Sequence, residues 1–171
     1  LNQMIPGIHL EGPFISSADG YRGAHPLADV QLANLETVKE LLEACAGKLL
    51  LLTLAPEQDS GGKVTKFLTD QGVIVSAGHS NASTDQLKNA IDSGLQMFTH
   101  LGNACPRQLP RHDNIIQRVL ALSDQLWISY IADGLHLPFF VLRNFLQATG
   151  YDRSIIVSDA ISAAECKSGY Y

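Results

Sequence analysis

Short apolar runs recur along the chain, at Gly7 to Leu10, Leu49 to Leu54, Val73 to Ala77, Leu95 to Thr99, Trp127 to Ala132 and Ile155 to Val157. Most are continuous rather than alternating, the pattern of parallel strands covered on both faces. Between them the apolar period changes. Leu32, Leu35, Val38, Leu42 and Cys45 repeat at helical spacing. Ser83 followed by Gln86 predicts a capping box ahead of Leu87, Ala90 and Ile91, with Gly94 placed to end that helix. Pro138 suits the first turn of a helix running to about Gly150. Strand alternating with helix predicts a parallel α/β protein.

The polar residues choose between the parallel architectures. Glu11, His79, His100, Asp133 with His136, and Asp159 each fall at or just beyond the C-terminal end of a predicted strand. A (β/α)-barrel brings all such ends to one rim, where catalytic groups are held. A doubly wound sheet would instead carry its chemistry at a switch point, usually with a glycine-rich phosphate loop, and no G-x-G-x-x-G or Walker pattern is present. The expected fold is therefore a (β/α)8 TIM-type barrel. A complete one takes about 250 residues. With 171 residues, this chain is expected to hold about six of the eight βα units, as a single partial domain over residues 1–171 with open sheet edges. The start at Leu1 rather than a methionine and the abrupt stop at Tyr171 also point to a fragment.

Composition narrows the function classes. No apolar stretch reaches the roughly 20 residues that span a bilayer, and residues 1–6 lack the basic and apolar regions of a signal peptide. Cys45, Cys105 and Cys166 are odd in number and widely spaced, which argues for a reducing compartment such as the cytoplasm. A net charge of −5 offers no basic stripe for nucleic acid or anionic lipid, and an anionic substrate would need a locally positive pocket.

Glu11, His79 and His100 form the candidate metal set. One carboxylate and two imidazoles commonly hold a catalytic divalent ion while leaving a position for water. His9 shares a strand face with Glu11 and reads as a hydrogen-bonding partner of the site rather than a ligand. Glu57, which also follows a strand, reads as a structural loop contact. Asp159 taken alone is equally an N-cap or an acid/base; beside a metal, catalysis is favoured.

The segments Gly7-Ile8-His9-Leu10-Glu11-Gly12-Pro13-Phe14, Ala77-Gly78-His79-Ser80, Thr99-His100-Leu101-Gly102-Asn103-Ala104, Ala132-Asp133-Gly134-Leu135-His136 and Ser158-Asp159-Ala160 resemble, in order and across nearly the whole chain, the N-acetylglucosamine-6-phosphate deacetylases of the amidohydrolase superfamily. The resemblance implies metal binding by Glu11, His79 and His100, to zinc or iron, with one or two ions left open. It implies that Asp159 is the catalytic acid/base and that His136 contacts the acetyl carbonyl. It also implies that the backbone at Asn103 and Ala104 holds the phosphosugar and that His25 is a further substrate contact. Arg111, with Arg107 as a competitor, matches a phosphate-binding arginine that reaches the neighbouring subunit's site, which implies a homodimer. The family's first barrel strand and its small β-sandwich are not in this sequence. Two positions depart from the family pattern: Gly102, where a bulky residue is usual, and Cys105, where methionine is common. Together they imply a more open pocket wall. The alternatives are another amidohydrolase acting on a cyclic amide or a nucleobase, and a non-catalytic barrel remnant. The chain alone is expected to be poorly active.

Overall fold

The computed structural model describes residues 6–169. Most of the stretch read above as lacking a signal peptide lies outside them. Six strands pair in chain order, β1 (Ile8–Glu11), β2 (Leu49–Leu54), β3 (Ile74–Ala77), β4 (Met97–Phe98), β5 (Trp127–Ile131) and β6 (Ser154–Val157), and every neighbouring pair is parallel. Five α-helices form the crossovers: α1 (Leu35–Ala44), α2 (Lys63–Asp70), α3 (Thr84–Asp92), α4 (Ile115–Leu120) and α5 (Phe139–Thr149).

Alternation along the strands sorts the side chains into two layers. Leu52, Leu54, Val75, Ala77, Phe98, Ile128 and Tyr130 are buried in the core that the helices cover. On the other face, His9, Glu11, Leu51, Met97, Thr99, Ser129, Ile155 and Val157 line one cavity of about 400 Å³. These residues come from β1, β2, β4, β5 and β6, so the first and last strands look across a shared interior. The sheet is a curled half-barrel. Its strand count matches the sequence reading, and β1 and β6 are its two edges among the described residues.

Local caps shift the predicted boundaries. Asn34 accepts the Thr37 amide and starts α1 there, leaving Leu32 exposed in the preceding loop. The run from Leu95 to Thr99 supplies only two ladder residues, although Leu95 and Thr99 stay buried. Pro138 is extended and stands just before α5 rather than within its first turn. The Ser83–Gln86 capping box forms with both reciprocal bonds, and α3 ends ahead of Gly94. Helices α2 and α4 were not picked out by apolar spacing. Among the described residues, no helix is long and apolar enough to cross a membrane.

Candidate metal centre

Glu11 is the last residue of β1, while His79, His100, Asp133 and Asp159 each stand two residues beyond the end of β3, β4, β5 and β6. His79, His100 and Asp159 all adopt positive φ, at 50°, 34° and 49°. Such a backbone costs a non-glycine residue about 1–3 kcal/mol and persists only where its surroundings enforce it. Three of the residues read from sequence as functional thus share one strained turn at the strand ends.

The turns bring these side chains together around one carboxylate. Glu11 Oε1 lies 3.0 Å from His25 Nε2 and 2.9 Å from His79 Nε2, and Oε2 lies 3.1 Å from His100 Nε2. The His79 ring stands edge-on to both other imidazoles, with centroids 4.7 Å from His25 and 5.0 Å from His100. His79 and His100 are buried; His25 and Glu11 are half-buried. Burial would push the Glu11 carboxyl upward, but the hydrogen bond with His100 and the close approach of the His79 imidazole override it and hold the group well below the usual carboxylate range. Burial likewise acts to lower His100, and Glu11 reverses the sign, leaving that imidazole raised.

Second contacts decide which ring atoms face inward. His79 Nδ1 lies 2.9 Å from the Tyr21 carbonyl, so its N–H donates there and Nε2 presents a lone pair to the centre. Although His79 Nε2 is close to Glu11, it is buried without a well-aligned hydrogen bond, and His100 Nδ1 is likewise unpaired. An orphaned imidazole lone pair facing a carboxylate is what a bound cation would satisfy. Donor atoms around a tetrahedral zinc lie roughly 3.4 Å apart at ordinary bond lengths, close to the separations seen. The donor atoms of Glu11, His25 and His79 all lie within 4.8 Å of one another. The residues fit a divalent ion, and His25, read from sequence as a substrate contact, stands among the potential ligands. Gly23 makes room for this arrangement: its φ is +61°, and a Cβ there would come within 2.9 Å of the His79 ring.

A cavity of about 250 Å³ opens over the centre, lined by Glu11, His25, His79 and His100 together with Asn103, Ala104, His136 and Asp159. Arg111, read from sequence as the phosphate contact, is exposed and lines neither this cavity nor the interior one, and the same holds for its competitor Arg107. His136 is oriented by Asp133, whose Oδ2 lies 2.7 Å from Nδ1 while Oδ1 accepts the amides of Leu135 and His136. Below the rim, His9 bonds Thr53 at 2.8 Å, Thr53 bonds Thr99 at 2.7 Å, and Thr99 bonds Ser76 at 2.7 Å. Sequence reading missed these hydroxyls. Their signal was present, as isolated polar residues at alternate positions of apolar strands. The Tyr21 carbonyl left no signal, because any residue supplies one.

No family model matches the chain. Its curated relatives, however, consistently carry one name. The chain is 33% identical over its whole length to N-acetylglucosamine-6-phosphate deacetylase of Bacillus subtilis. It is 38% identical, over 96% of its length, to the human enzyme of that name. Among solved structures it superposes on N-acetyl-D-glucosamine-6-phosphate deacetylase from Mycobacterium smegmatis with a TM-score of 0.84 and 32% identity, covering 96% of this chain and 43% of that one. A mutant of the Mycobacterium smegmatis enzyme in complex with N-acetyl-D-glucosamine-6-phosphate matches with a TM-score of 0.82 at 30% identity, covering 92% of this chain and 40% of that one. The chain spans 42% of the length of the Bacillus subtilis relative and 41% of the human one.

Proposed function

From its likeness to N-acetylglucosamine-6-phosphate deacetylases, we propose that this chain carries the metal-binding rim of an enzyme that hydrolyses N-acetylglucosamine 6-phosphate to glucosamine 6-phosphate and acetate. The observation that carries this reading is the Glu11 carboxylate set among the imidazoles of His25, His79 and His100. Glu11, His79 and His100 would hold a divalent ion, zinc or iron, with His25 beside them. Such an ion, when bound, lowers the pKa of water and polarises a carbonyl.

The remaining roles belong to side chains. Asp159 takes a proton from the attacking water and returns it to the departing nitrogen as the amide C–N bond breaks. His136, with its other nitrogen engaged by Asp133, donates to the acetyl oxygen as negative charge develops there. The backbone at Asn103 and Ala104 holds the sugar. Arg111, exposed and away from its own cavity, binds phosphate in a neighbouring subunit's site, so the whole protein is a homodimer. Two further βα units complete the barrel in that protein, and it works in the cytoplasm, where the three cysteines of this chain, free thiols here, stay reduced.

Asp159→Asn in the full-length protein tests the reading. Acetate release should fall by about 10²–10⁴-fold while metal content is unchanged; an unaffected rate refutes the assignment. Arg111→Ala should raise KM for the phosphorylated sugar. An unchanged KM would favour an amidohydrolase acting on a different amide.

A further inference from the structure

We propose that Glu57 is a positioning residue for His79, fixing the loop behind that imidazole and thereby the line on which Nε2 meets the metal. The proposal rests on reading the centre as a metal site. Glu57 lies in a single 3-10 turn (Pro56–Gln58) directly after β2. Its carboxylate reaches across to the neighbouring strand's loop. There Oε2 accepts the Ser80 hydroxyl at 2.6 Å and Oε1 accepts the Asn81 amide at 2.7 Å. Both bonds are charge-assisted. Ser80 is fully buried, and its oxygen in turn accepts the Ala82 amide at 2.9 Å.

The opposite side of the same loop is held by α4. Arg118 Nη1 donates to the Ala82 carbonyl at 3.0 Å and to Asn81 Oδ1 at 3.2 Å, and its own Nε is anchored on Asp113. On the near side, the His79 carbonyl accepts the Ser16 amide at 2.9 Å. Residues 79–82 are therefore clamped from several directions, and Glu57 supplies the anionic clamp next to His79. The need for it is visible in the φ of +50° at His79: a backbone relaxing there toward ordinary φ would swing the imidazole away from Glu11.

Two features separate this role from general bracing. Helix α3 is already capped by the reciprocal Ser83–Gln86 bonds, so Glu57 is not needed to start it. Helix α2 is capped by a different carboxylate, Asp59. The Glu57 bonds fall instead on Ser80 and Asn81, the two residues directly after His79.

The test is Co²⁺ titration of the metal-free intact protein, followed by its visible absorption band, alongside thermal unfolding. Glu57→Ala should weaken Co²⁺ binding by about tenfold or more and shift the band. Glu57→Gln, which retains one acceptor, should lose less, and Asp59→Ala should lower the unfolding temperature with Co²⁺ affinity unchanged. Should Glu57→Ala fail to fold, Ser80→Ala and Glu57→Gln carry the test, each weakening Co²⁺ binding by a few fold. A Glu57→Ala or Glu57→Gln protein that melts earlier yet binds Co²⁺ as the wild type does would overturn the proposal. His79→Ala separates the two readings: if it binds Co²⁺ normally, the metal centre itself is wrong and Glu57 has nothing to position.

Discussion

Asp133 shows how much one carboxylate decides at the level of a single side chain. It accepts two backbone amides and faces His136 Nδ1, and these hydrogen bonds, His136 first, hold its pKa at about 2 against an ordinary 3.8. A depressed carboxyl favours the folded turn wherever it is ionised. Its contribution is therefore complete above the ordinary value and disappears as pH falls through about 2. Urea unfolding of wild type and Asp133→Asn should differ by a constant amount above pH 4 and converge in stronger acid. The same variant removes the anion facing Nδ1, so the ring ¹⁵N shifts of His136 should move. Turnover in the full-length protein should fall more than about tenfold with metal retained.

Among the elements, α2 depends on a cap that does not sit at its N-cap position. Gly62 occupies that position with φ +66°, where a Cβ would collide with Ser93 Oγ. The helix amides are instead taken by Asp59, whose oxygens accept Val64 N–H at 3.0 Å and Thr65 N–H at 2.8 Å in a buried setting. Asp59→Ala should cost about 2–3 kcal/mol by leaving buried donors unpaired, read as a shift in the urea midpoint. This remote cap is also why α2 escaped the sequence reading: no capping residue adjoins its start. By contrast, α3 declared itself through Ser83 and Gln86, and the strands through continuous apolar runs. The site was legible for a related reason. A charged or imidazole side chain directly after such a run has no covered face to occupy, so Glu11, His79, His100 and Asp159 stood out. His25 lies in a loop between β1 and α1, where spacing carries no geometry, and its approach to Glu11 emerged only from the folded chain.

At the scale of the whole molecule, the half-barrel leaves apolar surface uncovered. Ile74, Trp127 and Ile156 are strongly exposed within strands, and the interior cavity is bounded by Leu51, Met97, Ile155 and Val157. The chain alone should bind an apolar fluorescent dye, and the signal should drop in a longer protein whose additional strands close the sheet. The rim needs less help, because three imidazoles of this chain already surround Glu11. The most direct measurement is diffraction from zinc-soaked crystals collected on either side of the zinc absorption edge. An anomalous peak is predicted about 2.0–2.3 Å from Glu11, His79 Nε2 and His100 Nε2. A peak held by other side chains, or none while both imidazoles stay packed against the Glu11 carboxylate, would contradict the account.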